Sequence, residues 1–308
     1  MRRSGRHRSP HRLSVPSTAP ALVLAVPGSA CAASDEIAGA VAAVAGASCP
    51  GVDVHVGYLD GEEQSLGALL ATFGASSGSG ESGSGETDDS GPPSAVVVPM
   101  VASPHPEIDA ALAKAVEEAG PAVILTTHLG PHPLLAEALH ARLAEAGLAR
   151  ASRIHGMSIV TVANGVLVVA TRGNGAVQVA GVAAVLLAAR LAVPTAPASL
   201  GDAVSIDNAL VRLREASASS LAVAPCVIGP ETSAAELGAL AAQTGGECAQ
   251  PIGAHPAVGQ LVAMRYGTAL TDRRVAAPGR WQPNGSGPPD HGSPASALEV
   301  AAGMALLF

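Results

Sequence analysis

Three segments of the sequence recur, in the same order, in its second half, and this repeat limits the possible folds more than any other feature. The matched segments are 22–30 with 167–175, 95–109 with 221–237, and 129–139 with 252–262. Matched segments in a common order indicate a duplicated structural unit. Since 308 residues are enough for two ordinary domains, we predict two similar halves.

The middle segment shows what each unit contains. Residues 95–99, Ala-Val-Val-Val-Pro, form the apolar, β-branched run typical of a strand that is buried on both faces of a sheet. A helix is predicted to follow, because Pro106 suits the first helical position and apolar residues then recur every three or four positions up to Ala119. Strands and helices alternate in this way along both halves. We therefore predict an α/β fold with two parallel sheets, related by internal duplication.

Composition sets the predicted boundaries of these halves. The ends of the chain and one internal stretch are rich in Ser, Gly, Pro or Arg and have no apolar periodicity, so we predict that they are flexible or disordered. The predicted organisation is a basic arm at 1–19, an N-terminal α/β domain at 20–150 with a flexible insertion at 75–93, a linker at 151–164, a C-terminal α/β domain at 165–271 and a tail at 272–308.

Charge and aromatic content exclude two classes of partner. The formal net charge is −8, and the five Arg of residues 1–18 leave −13 on the remainder, which makes an acidic surface unsuited to DNA or anionic lipid. One Trp, two Tyr and two Phe offer almost no surface on which nucleic-acid bases stack. No apolar run approaches the ~20 residues needed to cross a bilayer. We predict neither a nucleic-acid nor a membrane partner.

The spacing of the cysteines indicates the cellular compartment in which the protein folds. Cys31, Cys49, Cys226 and Cys248 show no Cys-x-x-Cys spacing, which favours a reduced, cytoplasmic protein over a zinc or iron–sulfur protein. The basic arm followed by Ala21–Val26 and Gly-Ser-Ala-Cys also imitates a bacterial lipoprotein signal. Its apolar run has six residues, fewer than the ~7–15 usual for such signals. An exported, lipid-anchored solute-binding protein remains the alternative.

Polar side chains follow the predicted buried strands, at the sheet edge where ligands bind in open α/β folds. His105 follows the strand at 95–99, and Glu231 occupies the corresponding position of the repeat. His128 ends the next strand and is predicted to reach the same edge. His132 and His255 share a Gly-x-His-Pro pattern in the two halves, which favours a structural role at the start of a helix.

Two turns after first strands are candidate anion sites. Gly28 and Ser29 end the first strand of one half, and Gly173 and Asn174 end that of the other, so their backbone N–H groups are predicted to point at a ligand near a helix start. Arg172 adds a positive charge to the second turn. The Gly173-Asn174-Gly175 run lacks the third glycine and the later acidic residue of a dinucleotide-binding fingerprint.

With these features the chain resembles the CbiX-type sirohydrochlorin chelatases, in the long form with two fused flavodoxin-like halves. The resemblance covers about residues 20–271 and rests on the first strand and turn, on His105-x-x-x-Asp109 after Val-Val-Val-Pro, and on Leu129-Gly-Pro-His-Pro-Leu-Leu. It implies a tetrapyrrole bound between the halves and insertion of Co²⁺ or Fe²⁺, the metal substrate, in siroheme or cobalamin biosynthesis. It implies no ATP and no organic cofactor.

The resemblance also implies residue roles. The family uses two histidines; the second is kept as His105, with Asp109 one helical turn on, and these two are the implied metal ligands. His105, Glu231 and His128 are the implied catalytic groups, since imidazole and carboxyl groups bind metal or accept pyrrole protons. At the first position the chain has Pro27, aligned by the repeat with Arg172. Pro27 has no ligand atom, which favours the alternative of a catalytically silent protein that holds a tetrapyrrole or a metal.

Overall fold

The computed structural model describes residues 19–62, 64–76, 93–149, 163–229 and 231–276. Nearly all of the predicted arm and linker, most of the insertion and all but the first residues of the tail lie outside these ranges. The first half contains β1 (Ala21–Ser29), α1 (Ala32–Ser48), β2 (Val54–Asp60), α2 (Leu66–Ser76), β3 (Ala95–Pro99), α3 (Pro106–Ala119), β4 (Val123–Leu125) and α4 (Pro133–Glu145). The second contains β5 (Gly165–Ala170), α5 (Asn174–Leu191), β6 (Thr195–Ser199), α6 (Ala203–Glu215), β7 (Leu221–Pro225), α7 (Ala234–Thr244), β8 (Glu247–Cys248) and α8 (Pro256–Ala276).

The strands form two parallel sheets with the same topology. Their orders are β2-β1-β3-β4 and β6-β5-β7-β8, so each strand of the first half has a counterpart in the second. This order matches the first four strands of the flavodoxin-like arrangement. The predicted α/β class, with two parallel sheets related by duplication, is confirmed. α8 continues past residue 271, the predicted end of the C-terminal domain, to Ala276.

The register of the sheets corrects one detail of the repeat. Leu24 pairs with Val98, and Val168 pairs with Ala224. Since Val98 and Ala224 occupy the same position of the equivalent strands β3 and β7, Leu24 corresponds to Val168. The segments at 22 and 167 are therefore offset by one residue, and the counterpart of Pro27 is Thr171, not Arg172. Both first strands are apolar at every position, so a shifted alignment looks as good as the true one although it exchanges the two faces of the strand.

The last helix of each half packs on the other half. α4 lies against α5 and β7 of the second half, and α8 lies against α1 and β3 of the first. The approach of α8 to α1 is close, because a Cβ atom on Gly259 would lie 2.5 Å from the Cβ of Val44. The inner faces of the two sheets and these four helices share one continuous apolar core. Among the described residues, no helix is long and apolar enough to cross a membrane.

Two arginines stabilise the packing of α4 and α8 on the opposite halves. On α4, Arg142 donates from Nε and Nη2 to the carbonyl of Ile252, at 3.0 and 2.7 Å. On α8, Arg265 donates from Nη2 to the carbonyl of Leu129 at 3.1 Å. Each arginine thus binds the loop that leads into the other helix. Hydrogen bonds to charged donors contribute more than neutral ones, so these contacts stabilise the packing of the halves.

We expect Arg142→Met to lower the free energy of unfolding by about 2 kcal/mol, because it leaves the Ile252 carbonyl without its charged donor. Urea unfolding followed by circular dichroism measures the change. The control is Arg212→Met, since Arg212 is exposed and its contact with the Pro197 carbonyl is long, at 3.5 Å. That change is expected to stay within about 0.5 kcal/mol. Equal effects of the two substitutions would contradict the assigned role of Arg142.

Candidate functional site

A cavity of about 290 Å³ lies between the halves, beyond the carboxyl ends of the strands. We call it the His105 cavity. It is lined by His105, Pro106 and Glu107 of the first half and by Thr171, Arg172, Gly173, Leu200, Glu231, Thr232 and Glu236 of the second. His105 and Glu231, which sequence reasoning placed at equivalent strand ends, therefore face one common space.

His105 differs from the other histidines that begin helices. It is the N-cap residue of α3, yet its ring makes no capping bond, and its Nδ1 is buried without a hydrogen-bond partner among the described residues. By contrast, Nδ1 of His132 accepts from the Leu134 N–H at 3.1 Å, and Nδ1 of His255 accepts from the Ala257 N–H at 3.2 Å. The structural role predicted for His132 and His255 thus has a geometric basis. A buried, unsatisfied ring nitrogen calls for another explanation, such as a ligand.

Asp109 and His128 contact each other. His128 Nε2 lies 2.8 Å from Asp109 Oδ1, and Asp109 Oδ2 accepts from the His105 backbone N–H at 3.2 Å. The carboxylate therefore links the end of β4 to the turn that carries His105. In the part of the chain that the structure describes, no three His, Cys, Asp or Glu side chains converge into a group that can hold a metal ion.

The Glu231 carboxyl group lies inside the protein and holds its own loop. It accepts from the backbone N–H groups of Ile228 and Gly229 at 2.6 and 2.8 Å. Burial raises the pKa of this carboxyl above its ordinary value, against the opposite effect of the backbone N–H donors. Cys226 lies nearby, and burial, together with the charge of Glu231, raises the pKa of its thiol to about 12. Glu231 is therefore suited to hold a proton.

The raised pKa makes a prediction for the pH dependence of stability. A carboxyl whose pKa is higher in the folded state stabilises the fold fully below its unfolded pKa, and this contribution is lost as the pH rises through the folded pKa. Urea unfolding of the wild type and of Glu231→Gln, compared between about pH 4.5 and pH 8, is expected to show the wild type losing stability relative to the variant. Exposed Glu247→Gln serves as the control. Parallel curves for wild type and Glu231→Gln would contradict the raised pKa.

Only one of the two predicted anion turns reaches the His105 cavity. Arg172 and Gly173 line it, and exposed Arg172 lies 3.6 Å from Glu236 through its Nη2. Asn174 is the first residue of α5. Gly28 and Ser29 do not line this cavity.

The structure changes which residue of the second half corresponds to Pro27. Pro27 is buried, and its counterpart Thr171 is also buried, with its hydroxyl 3.1 Å from that of Ser103 in the other half. The repeat, as aligned from the sequence, paired Pro27 with Arg172, which is exposed. That comparison was wrong by one residue. A histidine at residue 27 would bury an imidazole that needs a hydrogen-bond partner, so Pro27→His is expected to lower the stability of the fold.

Sequence reasoning missed several residues of this region. Glu236 joins the His105 cavity although it lies on α7, where it completes a capping box with Ser233. A second cavity of about 410 Å³ adjoins the first at Thr232, and Cys31 and Cys248 line it. The sequence placed Cys31 just after the first strand, but nothing in it brought Cys248 to the same place.

Comparison with known proteins identifies the fold. No protein-family model and no curated protein sequence matches the chain. Among solved structures it is similar to SirB from Bacillus subtilis with Fe³⁺, with a TM-score of 0.57 and 16% identity over 83% of this chain and 98% of that one. It is also similar to DR2241 from Deinococcus radiodurans, a multi-domain protein with structural similarity to chelatases, with a TM-score of 0.50 and 19% identity over 85% of this chain and 56% of that one. The chain therefore has a chelatase-like fold.

Proposed function

We propose that this protein binds a carboxylated tetrapyrrole, sirohydrochlorin or a close relative, between its halves and inserts Co²⁺ or Fe²⁺ into it. The observation that carries the proposal is the buried, unpartnered Nδ1 of His105 at a cavity shared by the two halves of a chelatase-like fold. SirB, which has a similar fold, was solved with Fe³⁺, which supports a metal substrate of this kind.

The chemistry of insertion assigns roles to His105 and Glu231, which line the His105 cavity, and to the pair of Asp109 and His128, which contacts the turn of His105 from outside that lining. The incoming ion needs a ligand that can release it, and a neutral imidazole such as His105 is one. Asp109 serves as a second ligand in the loaded state, because its Oδ2 is held by a long backbone contact of 3.2 Å that an ion can displace. The macrocycle must also lose two pyrrole protons. Glu231, whose pKa is raised, accepts one, and His128 beside Asp109 accepts the other.

The same proposal assigns substrate-binding roles to the turns. Arg172 and the backbone N–H groups of Gly173 and Asn174, at the start of α5, bind carboxylates of the tetrapyrrole. The corresponding turn of the first half, with Gly28 and Ser29, lines neither cavity, so it is proposed to bind only carboxylates of the tetrapyrrole that extend beyond them. The His105 cavity, about 290 Å³, is near the lower limit for small-molecule sites, so the ligand extends into the adjoining cavity of about 410 Å³.

Purified full-length protein, incubated with sirohydrochlorin and Co²⁺ or Fe²⁺, tests this function. We expect the absorption spectrum to change to that of the metallated product faster than in the uncatalysed mixture. The absence of any acceleration with either ion would refute an insertion activity.

A second candidate function is a catalytically silent carrier of a tetrapyrrole or metal. The observation that favours it is buried Pro27, which supplies no ligand atom at the end of β1. A carrier is expected to saturate with sirohydrochlorin in a binding titration while the rate of metal insertion stays at the uncatalysed level. Either role belongs to biosynthesis in the cytoplasm. Mass spectrometry of the intact protein tests this location, since a lipid-modified chain beginning at Cys31 would support export.

A further inference from the structure

The second cavity contains two thiols, one from each half of the molecule. This Cys31 cavity, of about 410 Å³, has Cys31, Ser34 and Ile37 of the first half and Thr232, Leu237 and Cys248 of the second among its lining residues. Apart from the thiols its walls are mostly apolar or small. The two sulfur atoms are therefore the strongest potential ligands on its surface.

Cys31 presents a reactive form of the thiol. It is exposed and is the N-cap residue of α1, and its Sγ lies 3.2 Å from the Ser34 hydroxyl. Hydrogen bonds from the Ser34 side chain and backbone lower the pKa of the thiol below its ordinary value. A thiolate at the start of a helix is also favoured by the helix dipole. Its exposure and its place in the lining of the cavity make the Cys31 sulfur accessible to a metal ion.

Cys248 supplies the second thiol, from the other half of the molecule. Its thiol is half-buried and donates to the Ala249 carbonyl at 3.3 Å, and burial raises the pKa of this thiol above its ordinary value. The other two cysteines do not line the cavity. Cys49 lies at the far end of α1, and Cys226 is buried in the core.

We propose that the Cys31 cavity is a second metal site, which binds a borderline divalent ion such as Co²⁺ through the sulfur atoms of Cys31 and Cys248. Two metal–sulfur bonds form, the S–H bonds of Cys31 and Cys248 break, and both protons leave to solvent. The remaining positions of the ion are open to water or to another ligand. Because Thr232 lines both cavities, an ion held here lies next to the His105 cavity. Binding at this site does not require a tetrapyrrole.

Titration of the full-length protein with Co²⁺ alone, in the presence of a phosphine reductant, tests the site. We expect a thiolate-to-cobalt charge-transfer band that saturates with one ion per chain. Cys31→Ser and Cys248→Ser are each expected to weaken binding by at least about 10–100-fold. That is the usual loss when only a residue that supports a metal ligand is removed, and here the ligand itself is lost. The matched control Cys49→Ser, which changes a thiol on the same helix as Cys31, is expected to leave the titration unchanged.

Several results would overturn the proposal: no such band in the wild type, an unchanged band in either Cys31→Ser or Cys248→Ser, or loss of the band in Cys49→Ser. Thermal unfolding of the variants verifies that each is folded. A wild-type band without any metal insertion into sirohydrochlorin would refute the proposed insertion activity and leave the thiol site standing. Metal insertion without the charge-transfer band would refute the thiol site and leave the insertion activity standing.

Discussion

Gly259→Leu is expected to lower the free energy of unfolding by about 3 kcal/mol, the upper part of the range for overpacked cores. The reason is the contact between α8 and α1, across the two halves. A Cβ atom at residue 259 would lie 2.5 Å from the Cβ of Val44 and 3.0 Å from the Val41 carbonyl oxygen. The second of these is backbone, so the helices must move apart. Urea unfolding followed by circular dichroism measures the loss.

The same helix provides the control. Gly267 lies further along α8, is exposed, and has no atom within 4 Å of a Cβ placed on it. Gly267→Leu is therefore expected to raise the free energy of unfolding by about 0.5–1 kcal/mol, since leucine favours the helix more than glycine does. If Gly259→Leu were as harmless as Gly267→Leu, α8 would not pack on the first half as described.

The sequence was sufficient to predict the two sheets. It was insufficient to predict that α4 and α8 each pack on the other half. Runs such as Val96–Val98 are apolar at every position, which is typical of a strand covered on both faces, and their repetition indicated two sheets. The apolar faces of α4 and α8 show that these helices are buried, but not which sheet they cover. Close contacts such as that between Gly259 and Val44 decide this, and they join residues far apart in the chain.

The candidate site also contains some features that the sequence predicted and others that it could not. His105 and Glu231 were each placed at the carboxyl end of a strand by the repeat, but their meeting across one cleft was implied by the resemblance to the two-domain chelatases. The contact between His128 and Asp109 follows from β4 pairing with β3, so it needed the order of the sheet. The meeting of Cys31 with Cys248 depends on how the halves face each other. No local pattern encodes that relation.

His105→Ala is expected to lower the rate of Co²⁺ insertion into sirohydrochlorin by about 10²–10⁴-fold, the usual contribution of an acid–base or ligand group. Stability should change little, because the ring caps no helix and Nδ1 makes no hydrogen bond that the substitution breaks. Initial rates of the absorption change, compared with the urea midpoint of the same preparation, measure both effects. Binding of sirohydrochlorin is expected to persist, since Arg172 and the α5 turn are untouched.

His132→Ala is the matched control, with the opposite expectation. His132 begins α4 as His105 begins α3, but its Nδ1 accepts from the Leu134 N–H, and burial together with the charge of Arg265 lowers its pKa, which keeps this nitrogen free to accept. Loss of such a cap costs about 1 kcal/mol. The rate of insertion should stay near that of the wild type. Equal losses of rate in His105→Ala and His132→Ala would mean that His105 acts through the stability of its helix, and its assignment as a metal ligand would be wrong.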